Sequence, residues 1–196
     1  MNKYDLAKID LSNLFGGKHF RTPTVLCSKG YGVSLESLVD TGAQGFLFLN
    51  SAIALSISGS LQVPIRRLPF KITVKGFHDQ VQTRVDKYIR LHIRIDGRKI
   101  LNCPFVIMDL GSQDCIIGIK WMRRFQLKLD TARNRIVWPA QYPPTYDPSP
   151  PLLVQLKSPY SDTDAQLDIR RRDALWEKDE YRRQTSPRQG LVQRIQ

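Results

Sequence analysis

The sequence predicts an all-β domain, a barrel or a sandwich with one or two short helices, followed by a proline-rich linker and a charged helical tail. Short segments rich in β-branched and aromatic residues alternate with Gly, Asp and Asn turns. The 41% hydrophobic content of the 196 residues suits one packed core, and prolines cluster between residues 143 and 159. We therefore expect a leader over 1–22, the folded domain over 23–140, the linker over 141–160 and the tail over 161–196.

The strands begin at residue 24. A hairpin is predicted from 24–27, a turn over 28–32 and the alternating apolar and polar residues of 33–39. This second strand runs directly into Asp40. Further strands are predicted at 46–49, 65–74, 81–95, 99–108, 115–117 and 135–138.

Two short helices interrupt the strands. One is predicted over 50–57 with Asn50 or Ser51 as its cap, and one over 119–125 after Gly118. The leader shows no sustained period and holds at most a short helix. The tail interleaves acidic and basic residues, which is typical of a solvent-exposed helix.

Net charge and hydropathy limit the kinds of partner and the cellular location that we expect for this protein. The net charge is +12, and residues 1–138 carry 21 basic and 10 acidic side chains against 9 and 8 in the remainder. Such a field favours non-specific contact with nucleic acid, and a merely solvated basic surface is the alternative. No apolar run approaches the ~20 residues of a membrane span, and the first residues lack a signal peptide. We expect an intracellular protein, cytoplasmic or nuclear, that is not secreted and contacts no membrane.

No metal or cofactor is predicted. The spacings of Cys27, Cys103 and Cys115 match neither a zinc site nor a dense disulfide framework, so we expect them to be reduced and mostly buried. His78 and His92 have no cysteine or carboxylate at a metal-ligand spacing. The sequence also lacks a glycine-rich phosphate loop and a nucleophile elbow.

The strongest chemical motif is an apolar strand end that delivers a carboxylate into a turn of small residues, Leu38-Val39-Asp40-Thr41-Gly42-Ala43. A carboxylate in such a poorly solvated place needs a partner, because an isolated buried charge is costly. An ordinary strand-to-turn junction is the alternative. A second apolar strand end, Ile116-Ile117-Gly118, can pack behind this turn because its glycine lets the backbone pass close by.

These residues resemble the retropepsins, the proteases of retroviruses and LTR retrotransposons. The resemblance lies in Asp-Thr-Gly-Ala after two apolar residues, joined by Ile-Ile-Gly and then Trp121. Segments at 74–77, 104–111 and 118–121 are similar to those of gypsy-type elements of fungi. The resemblance covers roughly 24–138 and implies a retropepsin-like closed β-barrel, which is half of an acid protease, with Trp121 as a core plug.

The resemblance implies a homodimer in which Asp40 of each chain supplies one of two carboxylates that share a proton. One carboxylate acts as base and the other as acid, and together they activate a water that attacks the peptide carbonyl. Thr41 would join the two turns through its hydroxyl, and Gly42 would accept the substrate backbone. A two-fold homodimer is expected because no second Asp-Thr/Ser-Gly occurs in the chain.

Further substrate contacts are implied at Ala43, Ile117 and Gly118. Gly76 and Phe77 lie where the family has its flap, a hairpin that closes over the substrate, although an exposed β-turn is the alternative. The predicted function is an aspartic endopeptidase that cleaves polyprotein junctions. The rival is a catalytically weak or inactive domain that binds protein or nucleic acid.

One departure from the retroviral members concerns the dimer. Those proteases have an acidic residue after the Ala and an arginine after the Gly of the second motif, whereas this chain has Gln44 and Ile119. The charge pair that braces the dimer is therefore absent, and we expect weaker pairing.

Overall fold

The computed structural model describes residues 16–75, 82–145 and 147–156. In chain order the elements are β1 (Arg21–Ser28), β2 (Tyr31–Asp40), β3 (Leu47–Asn50), α1 (Ser51–Leu61), β4 (Arg66–Lys75), β5 (Gln82–Ile95), β6 (Arg98–Met108), β7 (Cys115–Gly118), α2 (Ile119–Arg124), β8 (Lys128–Asp130), β9 (Arg135–Val137) and β10 (Leu152–Leu153). Most of the leader and tail lie outside the described residues, within which no helix is long and apolar enough to cross a membrane.

Six strands close into a barrel in the order β1-β2-β7-β3-β6-β5, and β1 completes the ring by pairing with β5. The closing register places Thr24 opposite Ile95. β4 extends the sheet beyond β5, and β8 with β9 forms a separate hairpin. The expected closed all-β barrel with two short helices is confirmed, and β8 and β10 are additions that the sequence did not predict.

Two tight hairpin turns connect β1 to β2 and β5 to β6, and they lie at opposite ends of β1. Lys29 and Gly30 both have positive φ, at 50° and 82°, as do Asp96 and Gly97, at 49° and 70°. Two successive positive φ values in a two-residue loop match the twist of the flanking strands. The first turn is shorter than expected, because Tyr31 already pairs with Ser28.

Helix α1 starts where the sequence places it and ends later. The Asn50 side chain caps it by accepting the Ala52 N–H at 3.0 Å. The helix continues to Leu61 because Ile57 and Leu61, one turn apart, are both buried. Gln62 then ends it in the left-handed conformation.

The core holds both the expected plug and a polar pair. Trp121 is fully buried, with its ring centroid 4.8 Å from that of Phe125 and 5.7 Å from that of Trp138. Thr24 and Ser37 share a buried hydrogen bond of 2.7 Å between their hydroxyls. All three cysteines are buried and unpaired.

The proline-rich segment lies against the barrel. We call residues 142–145 and 147–156 the strap. The N–H of Thr145 donates to Gly97 O at 2.8 Å, and the N–H of Leu152 donates to Gly30 O at 2.8 Å, where β10 pairs in parallel with β2. The sequence placed these residues in a linker, and their contacts correct that expectation: the packed unit continues beyond residue 140.

Ion pairs fix the middle of the strap. Oδ2 of Asp147 lies 2.9 Å from Nη1 of Arg94 and 3.0 Å from Nζ of Lys99, and the Asp147 side chain is only 13% exposed. The hydrogen bond from Lys99 is the main cause that lowers the pKa of Asp147. Partners this distant in sequence could not be recognised from composition.

Candidate active site

Asp40 is the last residue of β2 and stands at the rim of the barrel. β2 runs parallel to β7 here, with Asp40 opposite Gly118. The carboxylate is half-buried, and its Oδ1 accepts the Gly42 N–H at 2.8 Å. This bond orients one carboxylate oxygen, because the strand end fixes the backbone while the turn fixes the side chain.

The loop after Asp40 is anchored to the start of α2. The N–H of Gly118 donates to Phe46 O at 2.9 Å, that of Ile119 to Ala43 O at 2.9 Å, and that of Lys120 to Gly45 O at 3.0 Å. Each bond joins two segments more than 70 residues apart in the sequence. The position of the Asp40 turn therefore depends on the second motif.

Two glycines make this approach close. A Cβ added to Gly118 would lie 2.9 Å from Ala43 O and closer still to Gly45 O. A Cβ added to Gly45 would overlap the ring of Phe48. Neither position leaves room for a side chain. The close backbone approach at Gly118 is the one that the glycine of Ile-Ile-Gly predicts.

An apolar row crosses the barrel on the face that carries Asp40. Its members are half-buried and lie opposite one another on adjacent strands: Leu38, Ile116, Phe48, Val106 and Tyr88. Leu38 precedes Asp40 by two residues on β2, and alternate residues of a strand share a face. The carboxylate thus stands beside a continuous apolar surface.

The structure corrects one predicted substrate contact. Ile117 is fully buried, so its side chain faces the core and not the Asp40 side of the sheet. Ile116 is half-buried and lies on the Asp40 side of the sheet, as its pairing with Leu38 shows. Gly118 is also buried and acts through its backbone. Knowing that Ile116 pairs with Leu38, which lies on the same face as Asp40, would have identified Ile116 as the residue on that face.

The other predicted site residues differ in accessibility. Thr41, Gly42 and Gln44 are exposed, whereas Ala43 is half-buried. Thr41 and Gly42 are therefore accessible to a second copy or to a peptide.

The two predicted flap residues, Gly76 and Phe77, lie outside the described residues, as does His78. Ile119 is half-buried, and its N–H bond to Ala43 O places it next to the Gln44 position within one chain.

His92 has a structural partner. Its Nδ1 accepts the Asn102 N–H at 3.0 Å, and burial, with Lys99 as the second cause, lowers its pKa. Across the described part of the chain, no group of three or more metal-ligating side chains occurs.

The retroviral aspartyl protease family matches residues 23–141. The chain is also similar to the crystal structure of the retroviral protease-like domain of Ddi1 from Leishmania major, with 20% identity, a TM-score of 0.46, and coverage of 64% of this chain and 91% of that one. No curated protein matches it in sequence. The family match spans more than half of the 196 residues and contains both strand ends that meet at Asp40, and the chain therefore belongs to the retroviral aspartyl protease family.

Proposed function

We propose that this protein is an aspartic endopeptidase that works as a homodimer, with Asp40 of each chain in one shared site. The observation that carries the proposal is the half-site itself: one accessible carboxylate at a strand end, held by Gly42 and backed by Gly118. A single chain has one Asp-Thr-Gly. The second carboxylate must therefore come from a second copy, which a two-fold axis beside the exposed Thr41 and Gly42 would supply.

In this dimer the two carboxylates share one proton, because two like charges at contact distance do not both ionise readily. The charged carboxylate takes a proton from a water, which attacks the peptide carbonyl. The protonated one donates to the departing amine. No covalent intermediate with the protein is needed. The Gly42 N–H bond to Oδ1 keeps the carboxylate oriented through this exchange.

The substrate is an extended polypeptide with apolar side chains near the cleaved bond. The apolar row supports this choice, because its half-buried side chains would be covered by a bound peptide. Charged side chains at those positions would be desolvated without partners there. Leu38 and Ile116 pair with each other two residues before the Asp40–Gly118 pair. They are therefore the row members that would contact the residues flanking the scissile bond.

We also propose that the substrates are junctions of a retrotransposon polyprotein, of the gypsy type, and that the protein works inside the cell, in the cytoplasm or nucleus. The support is the resemblance of residues 104–111 and 118–121 to such elements.

A second candidate function is nucleic-acid binding by the β4–β5 surface. The described side chains of these two strands include five exposed cations, distributed over the two faces of the strand pair: Arg66, Arg67, Lys71, Lys87 and Arg90. The guanidinium of Arg90 lies 5.7 Å from the centroid of the Tyr88 ring. Cations beside an aromatic ring favour single-stranded nucleic acid. Salt-dependent retention of an oligonucleotide that Arg66→Gln and Lys87→Gln weaken would support this function.

The peptidase proposal is tested with a peptide library and the purified full chain. We expect cleavage between apolar residues that an aspartic-protease inhibitor blocks. Activity per chain should rise with protein concentration until the dimer saturates. Cleavage that the inhibitor leaves unchanged, or activity per chain independent of concentration down to nanomolar protein, would refute the dimeric aspartic mechanism.

A further inference from the structure

The strap carries an exposed serine that faces a cluster of cations on the barrel. Ser149 lies between Pro148 and Pro150 at an exposed bend, and its N–H donates to Oδ1 of Asp147 at 3.0 Å. The family match ends at residue 141, before the strap begins. The strap thus adds a surface that the family relationship does not explain.

Ser149 lines a small cavity between the strap and the barrel, of about 50 Å³. Four side chains from the barrel that carry or can carry positive charge line the same cavity: Lys29, His92, Arg94 and Lys99. They come from the β1–β2 turn, from β5 and from β6, and the chain brings them together only through barrel closure. The serine hydroxyl therefore stands in a strongly cationic environment.

Positive charge exceeds negative charge at this place. Asp147 is the carboxylate that Arg94 and Lys99 share, while Nζ of Lys29 donates to a neutral carbonyl, Gln62 O, at 3.0 Å. The lowered pKa of His92, for which Lys99 is the second cause after burial, reflects the same excess. The carboxylate of Asp147 neutralises these cations only in part, so a second anionic group would be attracted to them.

The local sequence suits one covalent source of such a group. A serine followed by proline, in an exposed segment outside the strands and helices of the barrel, is the kind of site that proline-directed protein kinases modify. We infer that Ser149 is a phosphorylation site whose phosphate is held by Lys29, Arg94 and Lys99, so that phosphorylation fastens the strap to the barrel.

The reaction needs a nucleoside triphosphate and such a kinase. The Ser149 Oγ attacks the γ-phosphorus of ATP, a new O–P bond forms, the bond to the ADP oxygen breaks, and the hydroxyl proton passes to the base of the kinase. The product carries a charge of about −1.5 to −2 at pH 7 and three acceptor oxygens. Asp147 repels it, but three cations against one carboxylate leave a net attraction.

The test uses the full chain, a proline-directed kinase and ATP, with the site of modification read by peptide mass spectrometry. Ser158-Pro159 and Ser186-Pro187 carry the same dipeptide and serve as internal references. We expect phosphate on Ser149, and loss of that phosphopeptide in Ser149→Ala. Modification of residues 158 and 186 without residue 149 in the folded chain would overturn the inference.

The second readout is the melting temperature of the chain phosphorylated on Ser149. So that only that site is modified, the samples carry Ser158→Ala and Ser186→Ala. We expect a rise of roughly 3–8 °C at low salt, which shrinks in 0.5 M NaCl. Lys29→Gln and Lys99→Gln should each reduce the rise, whereas Lys128→Gln, an exposed lysine on β8, should not. No change or a fall in melting temperature, or equal effects of all three lysine variants, would show that the cluster does not hold the phosphate.

Discussion

Gly118 lies against the carbonyl oxygen of Gly45 so closely that even a methyl side chain would overlap it. This contact joins the two strand ends whose meeting creates the site, since Asp40 is opposite Gly118 in the sheet. The geometry of the Asp40 carboxylate thus depends on a residue that has no side chain of its own.

Gly118→Ala should therefore destabilise the fold and abolish peptidase activity. The added Cβ meets backbone on two sides, and overpacking of this kind costs about 1–3 kcal/mol. The free energy of unfolding in urea and the rate of peptide cleavage are the measurements. Gly59→Ala is the control: a Cβ there meets nothing within 4 Å, and alanine inside a helix should raise stability by about 0.4–1 kcal/mol. Wild-type stability for Gly118→Ala would mean that the loop relaxes freely.

Asp40→Asn should abolish cleavage while leaving the fold intact, and excess Asp40→Asn chain should suppress the wild type by forming mixed dimers. Cleavage rates at fixed wild-type concentration measure this. Asp109→Asn is a matched control, because Oδ1 of Asp109 accepts the Gly111 N–H at 2.9 Å much as Asp40 accepts that of Gly42 at 2.8 Å. If the asparagine chain left wild-type activity unaffected at any excess, each active unit would hold a single copy.

Asp147→Asn should lower stability at pH 7, and this effect should shrink as the pH falls below about 4. Hydrogen bonds from Lys99 and from the Ser149 N–H lower the pKa of this carboxyl in the folded chain. Its stabilisation is therefore complete above the unfolded value of about 3.9 and is lost as pH falls through the folded pKa. Urea midpoints between pH 2 and 7 test this, with the exposed Asp114→Asn as control. A pH-independent difference would assign the effect to packing.

Ending the chain at residue 141 should destabilise the barrel, whereas ending it at residue 156 should not. The shorter chain loses the strap and its backbone bonds from Thr145, Leu152 and Val154. At about 0.5–1.5 kcal/mol for each of the three bonds, the loss is about 1.5–4.5 kcal/mol. Thermal and urea unfolding of both truncated chains provide the comparison. Equal stability of the two truncated chains would mean that the strap does not stabilise the barrel and acts as a linker.

The substitutions Gln44→Asp and Ile119→Arg test the dimer. Each alone should weaken pairing by placing an uncompensated charge near the axis, and the double variant should recover it through a bidentate pair. Dimer dissociation constants from analytical ultracentrifugation should show a coupling of about 0.5–3 kcal/mol. Additive effects would mean that the two side chains do not meet.

The sequence predicted the parts of this fold that depend on local pattern. The alternation of residues 33–39 identified β2, and Asn50 identified the start of α1. The family resemblance implied a substrate contact at Ile117, and the sequence could not correct it, because Cys115-Ile116-Ile117-Gly118 has no alternation of apolar and polar residues that would show which side chain faces the core. The strap was missed for another reason, because Asp147 meets cations 53 and 48 positions earlier, and no local rule reaches that far.

The interleaving of β7 between β2 and β3 sets the order in which the chain can acquire its function. During synthesis, Asp40 emerges well before Gly118, and until Gly118 arrives the turn lacks its anchor. Pairings of such long sequence separation form late and slow the folding of β proteins. The Asp40 turn is thus among the last regions to take shape, and a nascent chain cut short before β7 lacks the backbone anchors of that turn.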